Sequence, residues 1–419
     1  MATDTFRRLI TSPFLRNVSI LSSGSAVSMA VPILAAPVLG RLYTPADYGA
    51  LAQYMAPAAV LGVLACLQFQ NAILAERTGR GASVAAWLGL LSALVTSVAT
   101  ALAVAALWVP VLAQSAPGAW FTLLPLSVAG AGLVATGQFL ANRHRMYRQI
   151  ALVQVAQVLT TVALSILLGL LDWGANGLLA AYALGQAVLI GAYARVLARL
   201  QPTLRWPRAA RLRVLVRRHW KFPAFTLPAG FSSEINMQAP VFALTALGTD
   251  GTLGAFTRAR QLVSLPMTMI GQSVAQVFRR EASELYHETG SCRALMRRTA
   301  GWLLAAGLGP CLLFMAFAPW LFAVYLGPDW REAGEIARIL APMLLLRVIV
   351  SPLTTVFFFT DNQALDLKLM LGSAVLIALA ISLGWAVIGT AMAVIWAFAL
   401  GYGVVYLIYL ISTFKVAGP

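Results

Sequence analysis

The chain is predicted to be an all-α integral membrane protein of about twelve transmembrane helices in two six-helix lobes. Three observations predict this. First, 60% of the 419 residues are hydrophobic and only 11% are charged, where a soluble domain carries roughly 25%. Second, apolar segments of about 20 residues recur along the whole length, each long enough to cross a hydrocarbon core of about 30 Å. Lipid offers no partner to backbone polar groups, so such segments are helices. Third, the connections between segments alternate between cation-rich and cation-poor, as a polytopic chain requires.

The first span is placed at 18–40. Ser12-Pro13 leads into it with a cap residue followed by proline at the first helical position. The apolar run from Val18 to Leu39 is too long for a signal peptide and has no small-residue cleavage site in the right place. Five further spans are expected near 50–72, 84–108, 118–141, 150–171 and 174–197. A basic segment from Arg195 to Lys221 follows, with nine cations. It reads either as an anchor on anionic headgroups or as a recruitment surface for an anionic substrate or cytoplasmic partner. The remaining spans are expected near 223–247, 254–278, 300–325, 334–359, 367–386 and 388–413. The basic segment thus separates an N-terminal lobe at 1–198, a linker at 199–221 and a C-terminal lobe at 222–419.

Charge sets the orientation. On the side of the N-terminus lie Arg7, Arg8 and Arg16, then Arg77 and Arg80, then Arg143, Arg145 and Arg148. The same side takes the basic segment, Arg279 to Arg298, Lys368 and Lys415; the other side takes little beyond Arg41, Arg331 and Arg338. The positive-inside rule then places both termini in the cytoplasm.

Composition also excludes several functions. A net charge of +16 could suggest nucleic acid, but the cations sit between hydrophobic segments rather than on one soluble face. Cys66, Cys292 and Cys311 have no metal or redox spacing, and His144, His219 and His287 fall in polar connections. No Gly-rich phosphate loop is present, so nucleotide hydrolysis is not expected, and neither is a cofactor.

The two halves look related. Thr44 to Leu51 (TPADYGAL) opens the second span, and Thr249 to Phe256 (TDGTLGAF) opens the eighth. With six spans per half, both copies share one orientation, giving parallel repeats about an axis along the membrane normal.

A charge at a helix centre costs about 2.5–3.5 kcal/mol on insertion scales, so each needs a reason. Arg347 stands near the middle of span ten and Glu234 near the middle of span seven; Arg258 and Arg260 lie about a turn inside span eight, and Arg41 closes span one. On one reading Glu234 and Arg347 simply neutralise each other. On the other, Arg41, Arg258, Arg260 and Arg347 line a polar route for an anionic substrate, with Glu234 as an ion-coupling or gating carboxylate. Both hold together if the pair breaks during a cycle. Amides gather on the same helices: Gln53, Gln157, Gln272 and Gln276 are candidates for bonding sugar hydroxyls, although an amide in a bundle can also serve as interhelical glue.

The stretch Leu34 to Gly49 (LAAPVLGRLYTPADYG) resembles the opening of the polysaccharide-transporter family, which includes O-antigen and exopolysaccharide flippases. So do Pro223 to Gly230 (PAFTLPAG), Gly254-Ala255-Phe256 and Leu265 to Phe278 (LPMTMIGQSVAQVF). The resemblance implies the multidrug/oligosaccharidyl-lipid/polysaccharide (MOP) exporter fold, alternating between inward- and outward-open forms, in a bacterial inner membrane. It implies an undecaprenyl-diphosphate-linked oligosaccharide as cargo for surface polysaccharide, such as the O-antigen of lipopolysaccharide. Membrane lipids, a periplasmic polymerase and chain-length machinery would be partners, and proton or sodium coupling is compatible with it. An exporter of drugs or other lipid-linked substrates is the alternative within the fold. A saccharide polymerase would be an enzyme with a sizeable outer loop, whereas the outer connections here are short.

Overall fold

A computed structural model describes residues 13–107, 117–200, 207–360 and 362–418, with side chains described except at 13–23, 265–273 and 276–277. Regular structure among them is helical. Helices α1 (Pro13–Leu42), α2 (Pro45–Leu64), α3 (Gln70–Ala75), α4 (Gly79–Leu107), α5 (Leu124–Arg143), α6 (Tyr147–Leu170) and α7 (Gly174–Arg199) precede the basic helix α8 (Ala209–Arg218). Then come α9 (Leu227–Ala246), α10 (Asp250–Thr289), α11 (Arg293–Leu326), α12 (Arg331–Leu353), α13 (Val356–Phe359), α14 (Gln363–Ile388) and α15 (Ala391–Val416).

Among the described residues, nine helical segments are long and apolar enough to cross a membrane. The chain is a multi-pass membrane protein. On α11, Trp302 and Trp320 are 69% and 63% exposed. Eighteen positions at about 1.5 Å each put them about 27 Å apart, close to the hydrocarbon thickness that tryptophans bracket at the two interfaces. Leu304, Leu308, Leu312 and Leu313 are exposed between them and present a lipid-facing surface.

The helices α2, α9 and α10 fall outside that apolar set. They carry Asp47 and Gln53, then Glu234, Asn236 and Gln238, then Arg258, Arg260 and Gln261. Polar side chains lower their hydropathy, and they are the helices in which the candidate residues concentrate.

Two compact units are present. The first comprises Met1–Leu42 and Tyr54–Phe231; the second comprises Tyr43–Gln53 and Ser232–Pro419. Both α2 and α9 are therefore shared between units. In the first unit α1 packs on α6, α6 on α7 and α4 on α5. In the second, α12 is central: it packs on α10, α11 and α15, and it buries Leu340, Leu344, Val348 and Leu353.

The expected second span at 50–72 is not one helix. It stops at Leu64, and Leu67 and Gln68 take positive φ of 47° and 63° before α3 begins at Gln70. No glycine or proline marks this break. Non-helical backbone at membrane depth is tolerated where protein satisfies it, and protein does so here. Thr96 Oγ1 donates to the Ala65 carbonyl, Asn71 Nδ2 to the Gln68 carbonyl and Cys66 Sγ to the Gly132 carbonyl.

Below the break sits a buried acid that hydropathy alone passes over. Glu76 is 6% exposed, and its Oε1 lies 2.7 Å from His219 Nε2 and 3.3 Å from Arg218 Nη1. Arg143 Nη1 donates to the carbonyls of Ile73 and Glu76, each at 2.6 Å. The His219 ring stacks on Phe222 at 5.7 Å, and Leu215 of α8 joins the apolar cluster with Ala72 and Ile73. The basic linker helix is thereby fastened to the first unit. Removing one partner of a buried pair costs about 3–5 kcal/mol. Glu76→Ala is expected to release α8, read as faster protease cleavage between 207 and 221. Arg218→Ala, at a 65% exposed cation, should change the cleavage rate little.

Candidate functional site

The site is built in the second unit, from the start of α2, α9, α10, α12 and α15. Tight turns set its outer edge. Thr44 N and Oγ1 both donate to Asp47 Oδ2 at 2.8 Å, capping α2. Burial, helped by neighbouring Tyr48 and Asp47, pushes the Tyr43 phenol up to about 12, so it remains neutral.

The two repeated stretches meet in space. A Cβ on Gly49 would fall on the backbone of Asp250, and a Cβ on Gly254 would fall on the Pro45 carbonyl and the Gly49 amide. Gly49 and Gly254 hold equivalent places in the two stretches, as do Pro45 and Asp250. Each copy thus presses its glycine against the same position of the other, a reciprocal crossing of the kind small residues permit. Gln53 Nε2 donates to Asp250 Oδ1 across it.

Beside the crossing lies Arg258, 4% exposed. Its guanidinium carbon sits 4.4 Å over the Tyr48 ring, and Nη1 donates to Gln261 Oε1 at 2.9 Å. Tyr48 is itself held edge-on by Trp330 at 5.3 Å. The Nε and Nη2 atoms of Arg258 are buried with no hydrogen-bond partner. Cation–π contact offsets part of the cost of burying this charge, but two strong donors remain open, which is unusual for a buried arginine.

Deeper in the same unit is a second polar group. Arg260 Nη1 donates to the Met237 carbonyl at 2.6 Å, and its guanidinium lies 5.3 Å from the Phe256 ring. Its ionisable neighbours are Tyr402, Arg347 and Glu234. Glu234 accepts from Gln238 Nε2 at 2.9 Å. Among the described residues, the ion pairs join Glu76 to Arg218 and His219, and Arg280 to Glu284. The direct Glu234–Arg347 pair weighed from the sequence is therefore not formed; both groups act electrostatically on Arg260 instead.

Aromatic rings run along this group. Phe256 meets Phe398 at 5.7 Å, Phe398 meets Tyr402 at 4.9 Å, and Tyr402 meets Tyr406 at 5.6 Å. Sequence reasoning passed over these tyrosines because one more aromatic in an apolar span is unremarkable. The available signal was spacing: Phe398, Tyr402 and Tyr406 recur every four residues and share a face, opposite the exposed Leu400 and Val404. Asp366, in the first turn of α14 and hydrogen-bonded to Tyr409, was passed over for a different reason: it stands at the edge of its span rather than at its centre.

The remaining candidates lie elsewhere. Arg41 ends α1 in the first unit, exposed, and donates to the Pro37 carbonyl of its own helix at 2.8 Å. Gln157 is on α6, also in the first unit. Gln53 is buried and engaged by Asp250. The side chains of Gln272 and Gln276 fall outside the described residues. Glu234 and Arg347 are close enough to act electrostatically on Arg260, and Arg258 stands two residues from it on α10.

Comparison with known proteins follows the same line. The model of a family described as "Polysaccharide biosynthesis protein" matches residues 38–335. Among solved structures, the lipid II flippase MurJ in an inward closed conformation is similar with a TM-score of 0.70 at 14% identity, covering 95% of this chain and 89% of that one. An inward-facing multidrug resistance MATE family transporter of the MOP superfamily gives 0.68 at 15% identity, covering 92% and 93%. A MOP superfamily transporter from Pyrococcus furiosus, described as having a binding pocket of reverse polarity, gives 0.60 at 16% identity, covering 97% and 96%. No curated protein sequence matches. At these identities the likeness is one of fold, and the fold is that of MOP-superfamily transporters.

Proposed function

Because the chain belongs to the polysaccharide biosynthesis protein family and has the MOP transporter fold, we propose that it flips a lipid-linked saccharide across a bacterial inner membrane. The cargo is an undecaprenyl-diphosphate-linked oligosaccharide repeat unit, moved from the cytoplasmic to the periplasmic leaflet for surface polysaccharide assembly. A lipid II flippase with this fold supports a lipid-linked cargo. Twelve spans in two six-helix lobes, at 1–198 and 222–419, follow if α2 with α3, α9 and α10 are counted with the nine apolar segments. Both termini are then cytoplasmic.

One observation carries this reading: Arg258 is buried with two donors open. A fully buried guanidinium without an acidic partner is suited to an oxyanion that comes and goes, and a phosphate of the cargo supplies one. Arg260 and Arg347 extend the cationic character within the second unit, Arg41 and the amides Gln53, Gln157, Gln272 and Gln276 stay candidates for cargo contacts from their residue type alone, and Glu234 acts as the gating or ion-coupling carboxylate. The membrane potential assists, because outward movement of a negative charge is favourable by about 2.3 kcal/mol per charge per 100 mV.

Deletion of the gene is expected to leave the lipid-linked oligosaccharide accumulating on the cytoplasmic face of the inner membrane, read by protection from an impermeant glycan-oxidising reagent in inverted and right-side-out vesicles. An intermediate distributed between leaflets as in the parent strain would end this proposal. Structural analysis of the accumulated lipid names the sugar.

A further inference from the structure

The basic segment around α8 has no task in carrying a cargo through the bundle, yet its charge is the most one-sided in the chain. Arg208, Arg211, Arg213, Arg217, Arg218 and Lys221 are all exposed, and no acid occurs in the sequence between Asp172 and Glu234. Among the described residues, the ion pairs of this segment are those of Arg218 and His219 with the buried Glu76. The other five cations stand outside any ion pair.

The first unit sets the depth of the helix. Leu215 is buried in one cluster with Ala72, Ile73, Ala82 and Ala85, and the last two lie within two turns of the start of α4 at Gly79. Packed on α4 there, α8 runs at the level where the spans end, which is the level of lipid headgroups. With Leu212 and Leu215 turned to the protein, Arg213 and Arg217 stand one turn apart on the face turned away. Val214 shares that face and is 65% exposed. Just past α8, Trp220 and Phe225 are exposed as well, their rings 5.6 Å apart. Arginines beside exposed apolar side chains, next to a tryptophan, are the composition of a bilayer interface, where stems and rings meet acyl chains and charges meet headgroups. A soluble acidic partner would match the charge and leave the rings in water.

We propose that α8 and the turn leading to α9 form a docking surface for the anionic phospholipid headgroups of the adjacent leaflet. Arg213 and Arg217 take the phosphates, while Trp220 and Phe225 enter the boundary between headgroups and acyl chains. The linker then has two attachments: to the first unit through Glu76 and Leu215, and to the leaflet through its cations. Neither depends on the identity of the cargo.

Hydrogen exchange of the α8 amides is the test, on the full chain in nanodiscs of phosphatidylcholine with and without phosphatidylglycerol. Both leaflets carry the same lipids, so the result does not depend on which face is cytoplasmic. Exchange across α8 is expected to be at least about fivefold slower with phosphatidylglycerol, the worth of one cation at an anionic surface. Arg213→Gln with Arg217→Gln should remove that difference, and Arg213→Lys with Arg217→Lys should keep it. Both arginines are exposed and outside any ion pair among the described residues, so these variants keep the fold. Trp220→Ser should speed exchange alike in both lipids and leave the difference standing. Equal exchange in the two lipids overturns the proposal, as does a difference that survives in the glutamine variant. Inositol hexakisphosphate that protects α8 in phosphatidylcholine discs as fully as phosphatidylglycerol does also overturns it, because the surface would then take soluble polyanions. Equal protection by a small admixture of undecaprenyl diphosphate has the same force, since the helix would then collect the cargo's own headgroup.

Discussion

Gly254→Val is expected to yield no monodisperse protein in detergent, because a Cβ at this position lands on the Pro45 carbonyl and the Gly49 amide. Overpacking against side chains costs about 1–3 kcal/mol, since side chains can turn aside. Backbone atoms at a helix start cannot, so the penalty here exceeds that range and consumes much of a net stability of about 5–15 kcal/mol. The tie between Gln53 and Asp250 depends on the same close approach, as does the seating of Tyr48 under Arg258. Gly251→Ala on the same turn is the control: nothing lies within 4 Å of its Cβ position, and it should elute and melt as the parent does. Because the crossing is reciprocal, Gly49→Val should fail in the same assay. A Gly254→Val chain that elutes and melts like the parent would refute the crossing.

Arg258→Met should separate stability from transport. Replacing a buried charge by an apolar side chain of similar volume is neutral or stabilising when the charge was poorly paired, and two of the Arg258 nitrogens have no partner. The melting temperature is therefore expected to hold or rise. Transport of the lipid-linked cargo should fall by about two orders of magnitude, since two charge-assisted bonds of about 1.5–3 kcal/mol each are lost. Gln261 and Tyr48 remain in place as controls for local packing. A drop in melting temperature with unimpaired flipping would make Arg258 a structural residue and remove the observation on which the proposed function rests.

The membrane class and helical content were legible because hydropathy is a sum over one segment and needs no knowledge of neighbours. The likeness of 44–51 to 249–256 was visible as a short pattern, but that the two stretches cross at their glycines was not. The break at Leu67 and Gln68 left no mark, because its stability comes from Thr96, Asn71 and Gly132, two of them distant in sequence. Glu76 was hidden among the cations around it, since its partner His219 is 143 residues away. Arg258, Arg260, Arg347 and Glu234 stood out by the cost of charge in a span, whereas Tyr402 and Tyr406 did not, because an aromatic ring is cheap there.

By itself, then, the sequence determined that this chain is a helical membrane protein, which segments are apolar, and where costly charges stand. Those are properties of composition and spacing along one strand of chain. The tertiary structure decided which of the polar groups meet: that Glu234 closes on neither arginine, that Arg258 rests on Tyr48 with donors to spare, and that the guanidinium of Arg260 lies by the Phe256 ring, which begins a ladder through Phe398 to Tyr402. Such meetings depend on the rotation and depth of each helix against the others, set by packing between residues far apart in the chain, and no local property of a segment encodes them.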